Sequence, residues 1–192
     1  MASLEERHPP FLATTVVAAA LAVLAGACGG GSSKASSGGP TTAVNLASRV
    51  QRYDVPSRNH VQGRVTYPQT PPVGGDHNPV WMNCGVYSSP VVTEAAVHST
   101  EHGAVWITYR ADLAQAQVDK LVKLVRGKPY VLLSPWAAND LPSPVVASAW
   151  GLQLKADSAD DPAIAAFIAM YAGGPQAPEP GAPCSGGFGN PQ

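Results

Sequence analysis

The sequence predicts an α+β domain: a mainly antiparallel sheet with two helices on one face, joined by long Pro/Gly-rich loops. Three observations point there. The runs AVWITY (Ala104 to Tyr109), PYVLL (Pro129 to Leu133) and VVASAWGLQL (Val145 to Leu154) are rich in β-branched and aromatic residues, as strands are. Two segments, after Asp112 and after Asp161, repeat apolar residues at helical spacing. The 19 prolines and 19 glycines gather mostly in the N-terminal stretch, the loop over 68–79 and the tail, leaving a compact centre with irregular extremities.

From the N-terminus, residues 1–27 read as a signal peptide or N-terminal membrane segment. The 17 residues from Phe11 to Ala27 carry no charge and are dominated by Ala, Val and Leu. That length lies at the lower edge of what spans a bilayer. The run ends in Leu24, Ala25, Gly26, Ala27, Cys28, which resembles a bacterial lipobox, where small residues precede a cysteine that is lipidated. Two features depart from that pattern: Ala25 where leucine is usual, and the glutamates Glu5 and Glu6 in the opening. Lipidation at Cys28 is the first expectation, an uncleaved helix the second and free secretion the third. Each puts the protein outside the cytoplasm, and the first two anchor it to the cell membrane. Residues 28–56 follow as a flexible tether, opening on GGGSSKASSGGPTT, whose composition buries too little apolar surface to order itself.

Residues 57–188 are expected to form a single globular domain with an extended C-terminal tail, a length suited to one hydrophobic core. His60 to Tyr67 reads as a strand interrupted by Gly63, and TPPVGGDHNPVW as a shaped loop. Thr93 to Gly103 reads as a short helix with Thr93 as N-cap and Gly103 as its stop. Ala104 to Tyr109 is a buried strand. Asp112 then caps the clearest helix, with Leu113, Val118, Leu121, Val122 and Val125 on one face and Gly127 at its end. Pro129 to Leu133 and Val145 to Leu154 supply further strands, the latter with an irregularity at Gly151. Asp161 and Pro162 start a last helix that buries Ile164, Phe167, Ile168 and Tyr171 and stops at Gly173.

Charge excludes one class of partner. With 12 Lys+Arg against 13 Asp+Glu, no long-range field favours nucleic acid. Phosphate-cradling glycine loops and a G-x-S-x-G elbow are absent too.

Chemistry-bearing residues concentrate between Pro71 and Tyr109, which hold three of the five histidines and two of the four tryptophans. His98 and His102 lie four apart in HSTEH. On a helix both imidazoles share one face and can bind one metal, whereas on a strand they would stand about 13 Å apart. His77, from the glycine-rich loop, is the natural third ligand, with His60 or Cys84 a possible fourth. Three imidazoles with an open position suit zinc or copper, and a thiolate would favour zinc or copper(I). HSTEH also matches the H-x-x-E-H of inverted zinc peptidases, which would make Glu101 a general base, but Gly103 and a strand follow at once where those enzymes need a longer helix. The structural alternative is that the histidines bond to backbone and brace the loop. Cys84 and Cys184 are the thiols left after lipidation, and outside the cytoplasm a bridge between them is the preferred assignment. It would close a loop of about 100 residues and pin the PEPGAPC tail beside the histidine loop.

The strings VHSTEHGAVWITY, GGDHNPVWMNCGVY, SPVVASAWG and PEPGAPC, in their order along the chain, resemble the bacterial family called domain of unknown function 3105 over roughly residues 57–188. Met82 departs from it, standing where a polar residue is expected. The resemblance implies an exported, commonly lipidated or N-terminally anchored protein and carries no established activity. Three functions remain open. The first is a metal-binding accessory protein holding zinc or copper; the second, a disulfide-stapled envelope module with a protein partner and no metal; the third, a metal-dependent hydrolase using Glu101.

Overall fold

The computed structural model describes residues 45–192; the segment 1–27, Cys28 and most of the expected tether lie outside the described residues. Among the described residues no helix is long and apolar enough to cross a membrane.

A 3-10 turn at Leu46–Ser48 leads into β1 (Gln51–Arg52), followed by β2 (Gly85–Val86), α1 (Thr93–Glu101), β3 (Val105–Tyr109), α2 (Gln115–Val125), β4 (Val131–Pro135), β5 (Val145–Ala149), β6 (Leu152–Ala156) and α3 (Pro162–Tyr171). The strands form one six-stranded sheet in the order β1-β6-β5-β3-β4-β2. Its pairs β1/β6, β6/β5 and β5/β3 are antiparallel, while β3/β4 and β4/β2 are parallel. The expectation of a mainly antiparallel sheet with two helices is therefore corrected: the sheet is mixed and there are three helices among the described residues. The physical reason lies in α2. An 11-residue helix between two strands makes a crossover, and a crossover brings the second strand back parallel to the first. Every residue of β3 and β4 is buried, the pattern of strands covered on both faces.

Alternation along the strands sorts the core into two layers. Val105, Ile107 and Tyr109 of β3 and Val131 and Leu133 of β4 meet Leu121 and Val125 of α2 and Ile164, Phe167, Ile168 and Tyr171 of α3. On the opposite face Trp106 and Leu132 meet Ala95 and Ala96 of α1 together with Met82. The small alanines let α1 approach the sheet closely. Trp106 satisfies its indole N–H there by donating to Ser134 Oγ at 3.0 Å.

Several local expectations change. His60 to Tyr67 is not a strand: only His60 makes a bridge, to His77, and the Val65 N–H donates to the Glu94 carboxylate at 3.0 Å instead of to a ladder. Val145 to Leu154 is two strands, because Trp150 and Gly151 turn the chain and pair Ala149 with Leu152. Gly151 takes φ +68°, which favours glycine. Thr93 is the first helical residue, with Val92 as N-cap, and α2 begins beyond Asp112 with Ala114 as N-cap; neither cap makes a side-chain hydrogen bond. Asp161 does cap α3, accepting from the Ala163 N–H, and its carboxylate also takes a two-pronged contact from Arg49 at 2.8 and 2.7 Å. Arg49 and β1 fall within the residues expected as tether; from Leu46 to Arg52 the chain packs against α3 and β6.

Candidate metal centre

The centre is assembled from three separated segments. The loop after Tyr53 brings His60, the glycine-rich loop brings His77, and the last turn of α1 brings His98, Glu101 and then His102 at its C-cap. Because HSTEH is helical, positions 98, 101 and 102 share one face, as the sequence required for a joint role. α1 ends at Glu101 and Gly103 follows at φ +106°, so the metallopeptidase-like match has no further helix behind it.

Backbone contacts place the loop on α1. Ser99 Oγ accepts from the Met82 N–H at 3.0 Å and donates to the Met82 carbonyl at 2.8 Å, while the Met82 N–H also donates to Ala95 O at 3.0 Å. Upstream, Gly74 and Gly75 adopt φ of +144° and +119°, and a Cβ on Gly74 would stand 2.9 Å from Val55 Cγ1. Only glycine fits that approach. The turn it permits aims Gly75 O back at the His77 ring.

Three buried imidazoles are then held in the same way. His77 Nδ1 lies 2.7 Å from Gly75 O, His98 Nδ1 2.7 Å from Asn78 O, and His102 Nδ1 2.7 Å from Pro183 O. A carbonyl can only accept, so each Nδ1 carries a proton and each ring turns its Nε2 inward, a bare lone pair whenever the ring is neutral. Those lone pairs meet other acceptors. His98 Nε2 is 2.9 Å from His102 Nε2, and His77 Nε2 is 2.9 Å from Glu101 Oε2. Despite that short distance His77 Nε2 makes no hydrogen bond and is fully buried. A buried polar atom left this way costs free energy unless a cation meets it.

His60, Nε2 3.9 Å from Glu101 Oε2 and about half exposed, closes the group on the solvent side. The donor atoms of His60, His77, His98 and Glu101 all lie within 4.8 Å of one another. Around a tetrahedral ion with bonds of about 2.0–2.1 Å, donors stand about 3.3 Å apart, so a small movement of the exposed His60 gathers the set. Arg58 Nη1 approaches the other Glu101 oxygen at 3.5 Å from the surface. Burial pushes the His98 pKa down to about 4, with the neighbouring rings of His102, His77 and His60 adding to the effect, so the ring is neutral at pH 7. Trp81 covers the far side, its ring 4.9 Å from that of His102 and 5.7 Å from that of His98.

Of the ligands expected from sequence, His77, His98 and His60 come together in the four-membered group. His102 stands outside it, next to His98. Glu101, weighed from sequence only as the base of a discounted peptidase match, lies among the donors. Cys84 is not available as a ligand, because it forms a disulfide with Cys184 across a separation of 100 residues. Adjacent Pro183 supplies the carbonyl that orients His102. Sequence reasoning set the tail beside the histidine loop but missed the contacts of Glu179: its N–H donates to Glu101 O at 3.0 Å, and its Oε2 reaches within 3.8 Å of His102 Nε2. The PEPGAPC string was the available signal.

Fold and site together define a mixed-sheet α/β domain with a buried histidine and carboxylate cluster at the end of one helix. The chain belongs to the family described as Protein of unknown function (DUF3105), matched over residues 60–186. No curated protein and no solved structure matches it.

Proposed function

We propose that this protein binds a transition metal through His60, His77, His98 and Glu101, and that it does so outside the cytoplasm while anchored to the membrane by its N-terminus. One observation carries the metal: three buried rings donate Nδ1–H to backbone carbonyls, the arrangement that directs metal-ligating histidines, and turn their Nε2 atoms toward one another and a carboxylate. The donor set is nitrogen and oxygen, with the sulfur of Cys84 in a disulfide, which suits zinc or copper(II) over copper(I). Glu101 belongs to the donors, which favours a binding protein over a hydrolase that would need this carboxylate as its base. The anchor rests on the lipobox-like run ending in Cys28.

Equilibrium dialysis of the full chain against zinc and against copper(II), followed by metal analysis, tests the centre. Wild type retains metal and a His77→Gln, His98→Gln double variant does not. Equal metal content in the two proteins would end the proposal and leave the disulfide-stapled interaction module as the reading. An intact mass for the membrane-extracted protein without lipid on Cys28 would remove the lipid anchor alone.

A further inference from the structure

The four-membered group leaves part of the cluster unused. His102 is buried, its Nδ1 is committed to Pro183 O at 2.7 Å, and its Nε2 points at His98 Nε2 2.9 Å away and lies 3.8 Å from Glu179 Oε2. Neutral Nδ1–H imidazoles have one lone pair at Nε2, so His98 can serve one ion at a time. The two nitrogens face each other across 2.9 Å, close to the separation of two donors on one ion.

The donors divide into two sets of like composition. One is His60, His77 and Glu101, where Glu101 Oε2 lies 3.9 Å from His60 Nε2 and 2.9 Å from His77 Nε2. The other is His98, His102 and Glu179, where His102 Nε2 lies 2.9 Å from His98 Nε2 and 3.8 Å from Glu179 Oε2. Each set has two imidazoles and one carboxylate, and each has one half-exposed member, His60 or Glu179, that can move inward. The sets touch, with the rings of His77 and His98 4.7 Å apart. We infer that the centre holds two neighbouring divalent ions, the second bound by His98, His102 and Glu179 beneath Trp81. This rests on the metal-binding proposal above and extends it. At low metal a single ion takes His60, His77, His98 and Glu101; when the second arrives, His98 turns to it. Three protein donors per ion leave open positions on both, so a small bridging ligand such as hydroxide or an oxyanion can join them.

The tail makes the second position. Glu179 and the Pro183 carbonyl both come from the segment tied down by Cys184, and the Gly181 N–H donates to His102 O at 3.3 Å. Without the tail, His102 keeps neither its orienting carbonyl nor its carboxylate neighbour.

Titration of the metal-free full chain with copper(II), read by metal content and electron paramagnetic resonance, tests the inference. Wild type is expected to take two ions per chain, the second with a half-field signal from coupled copper(II). Glu179→Gln, at a half-exposed position that leaves the core intact, weakens the second ion by ~10-fold or more and abolishes the half-field signal while the first ion is unchanged. His60→Gln weakens the other position and spares the one at His102. Saturation of wild type at one ion with no coupling overturns the second position and leaves the first standing. Two coupled ions retained unchanged in Glu179→Gln overturn the assignment of Glu179. No ion bound at all overturns both proposals.

Discussion

The disulfide offers the most quantitative prediction. Cys84 and Cys184 close a loop whose ends are 100 residues apart. On the chain-entropy model, a loop of that length removes about 4.7 kcal/mol of freedom from the unfolded chain at 25 °C. For a domain of this size each kcal/mol corresponds to roughly 2–4 °C in Tm, so replacing both cysteines by serine lowers Tm by about 9–19 °C. Circular dichroism melts of the wild type, of the wild type with a dithiol reductant and of the Cys84→Ser, Cys184→Ser variant measure it. Reduced wild type and variant are expected to melt together. Metal should respond as well, since the cut bond releases Pro183 O from His102. A Tm drop below about 3 °C in both samples would refute the entropic account, because it would mean that the unfolded chain gains little freedom when the loop is opened.

Three further outcomes follow from the same structure. Glu101→Gln keeps the shape of the side chain and removes its charge. With zinc at about 100 times the wild-type Kd, wild type gains about 2.7 kcal/mol, seen as roughly 5–11 °C in thermal shift, and the variant gains much less. Phe167→Ala, at a fully buried position between α3 and the sheet, costs about 3–5 kcal/mol in urea unfolding without altering metal content. Asp161→Ala removes the α3 cap and the Arg49 contact and costs about 1–2 kcal/mol at pH 7. The Arg49 hydrogen bond holds the Asp161 carboxyl below its usual pKa. Its contribution is therefore complete above the unfolded carboxyl pKa of about 3.9 and fades as pH falls through the lower folded value. The difference in Tm between wild type and Asp161→Ala should narrow accordingly below about pH 4.

Legibility in the sequence followed the range of the interactions. The helix ending at Gly173 was readable because Asp161, Pro162 and the apolar stripe through Phe167 act within a few residues of one another. So was the placing of His98 and His102 on one helical face, which needs only the backbone of one turn. Strand direction was not readable in the same way. Whether β3 pairs with β4 in parallel depends on where the chain returns after α2, and β2 joins the same sheet by pairing with β4 residues 47 positions further along, contacts no local pattern records. The strand expected at 60–67 failed for a related reason: the Val65 N–H went to a glutamate side chain from another segment.

By itself the sequence determined which donors exist and that one helix presents His98 and His102 on a shared face, since helical periodicity and residue chemistry are local properties. Tertiary structure alone decided which donors meet. Glycine-only turns swing His77 inward, carbonyls from the glycine-rich loop and the tail orient the rings, and a tail stapled 100 residues away delivers Glu179 to His102. A metal centre is a matter of distances of a few ångströms between atoms far apart in the chain, and such distances exist only once the chain has closed on itself.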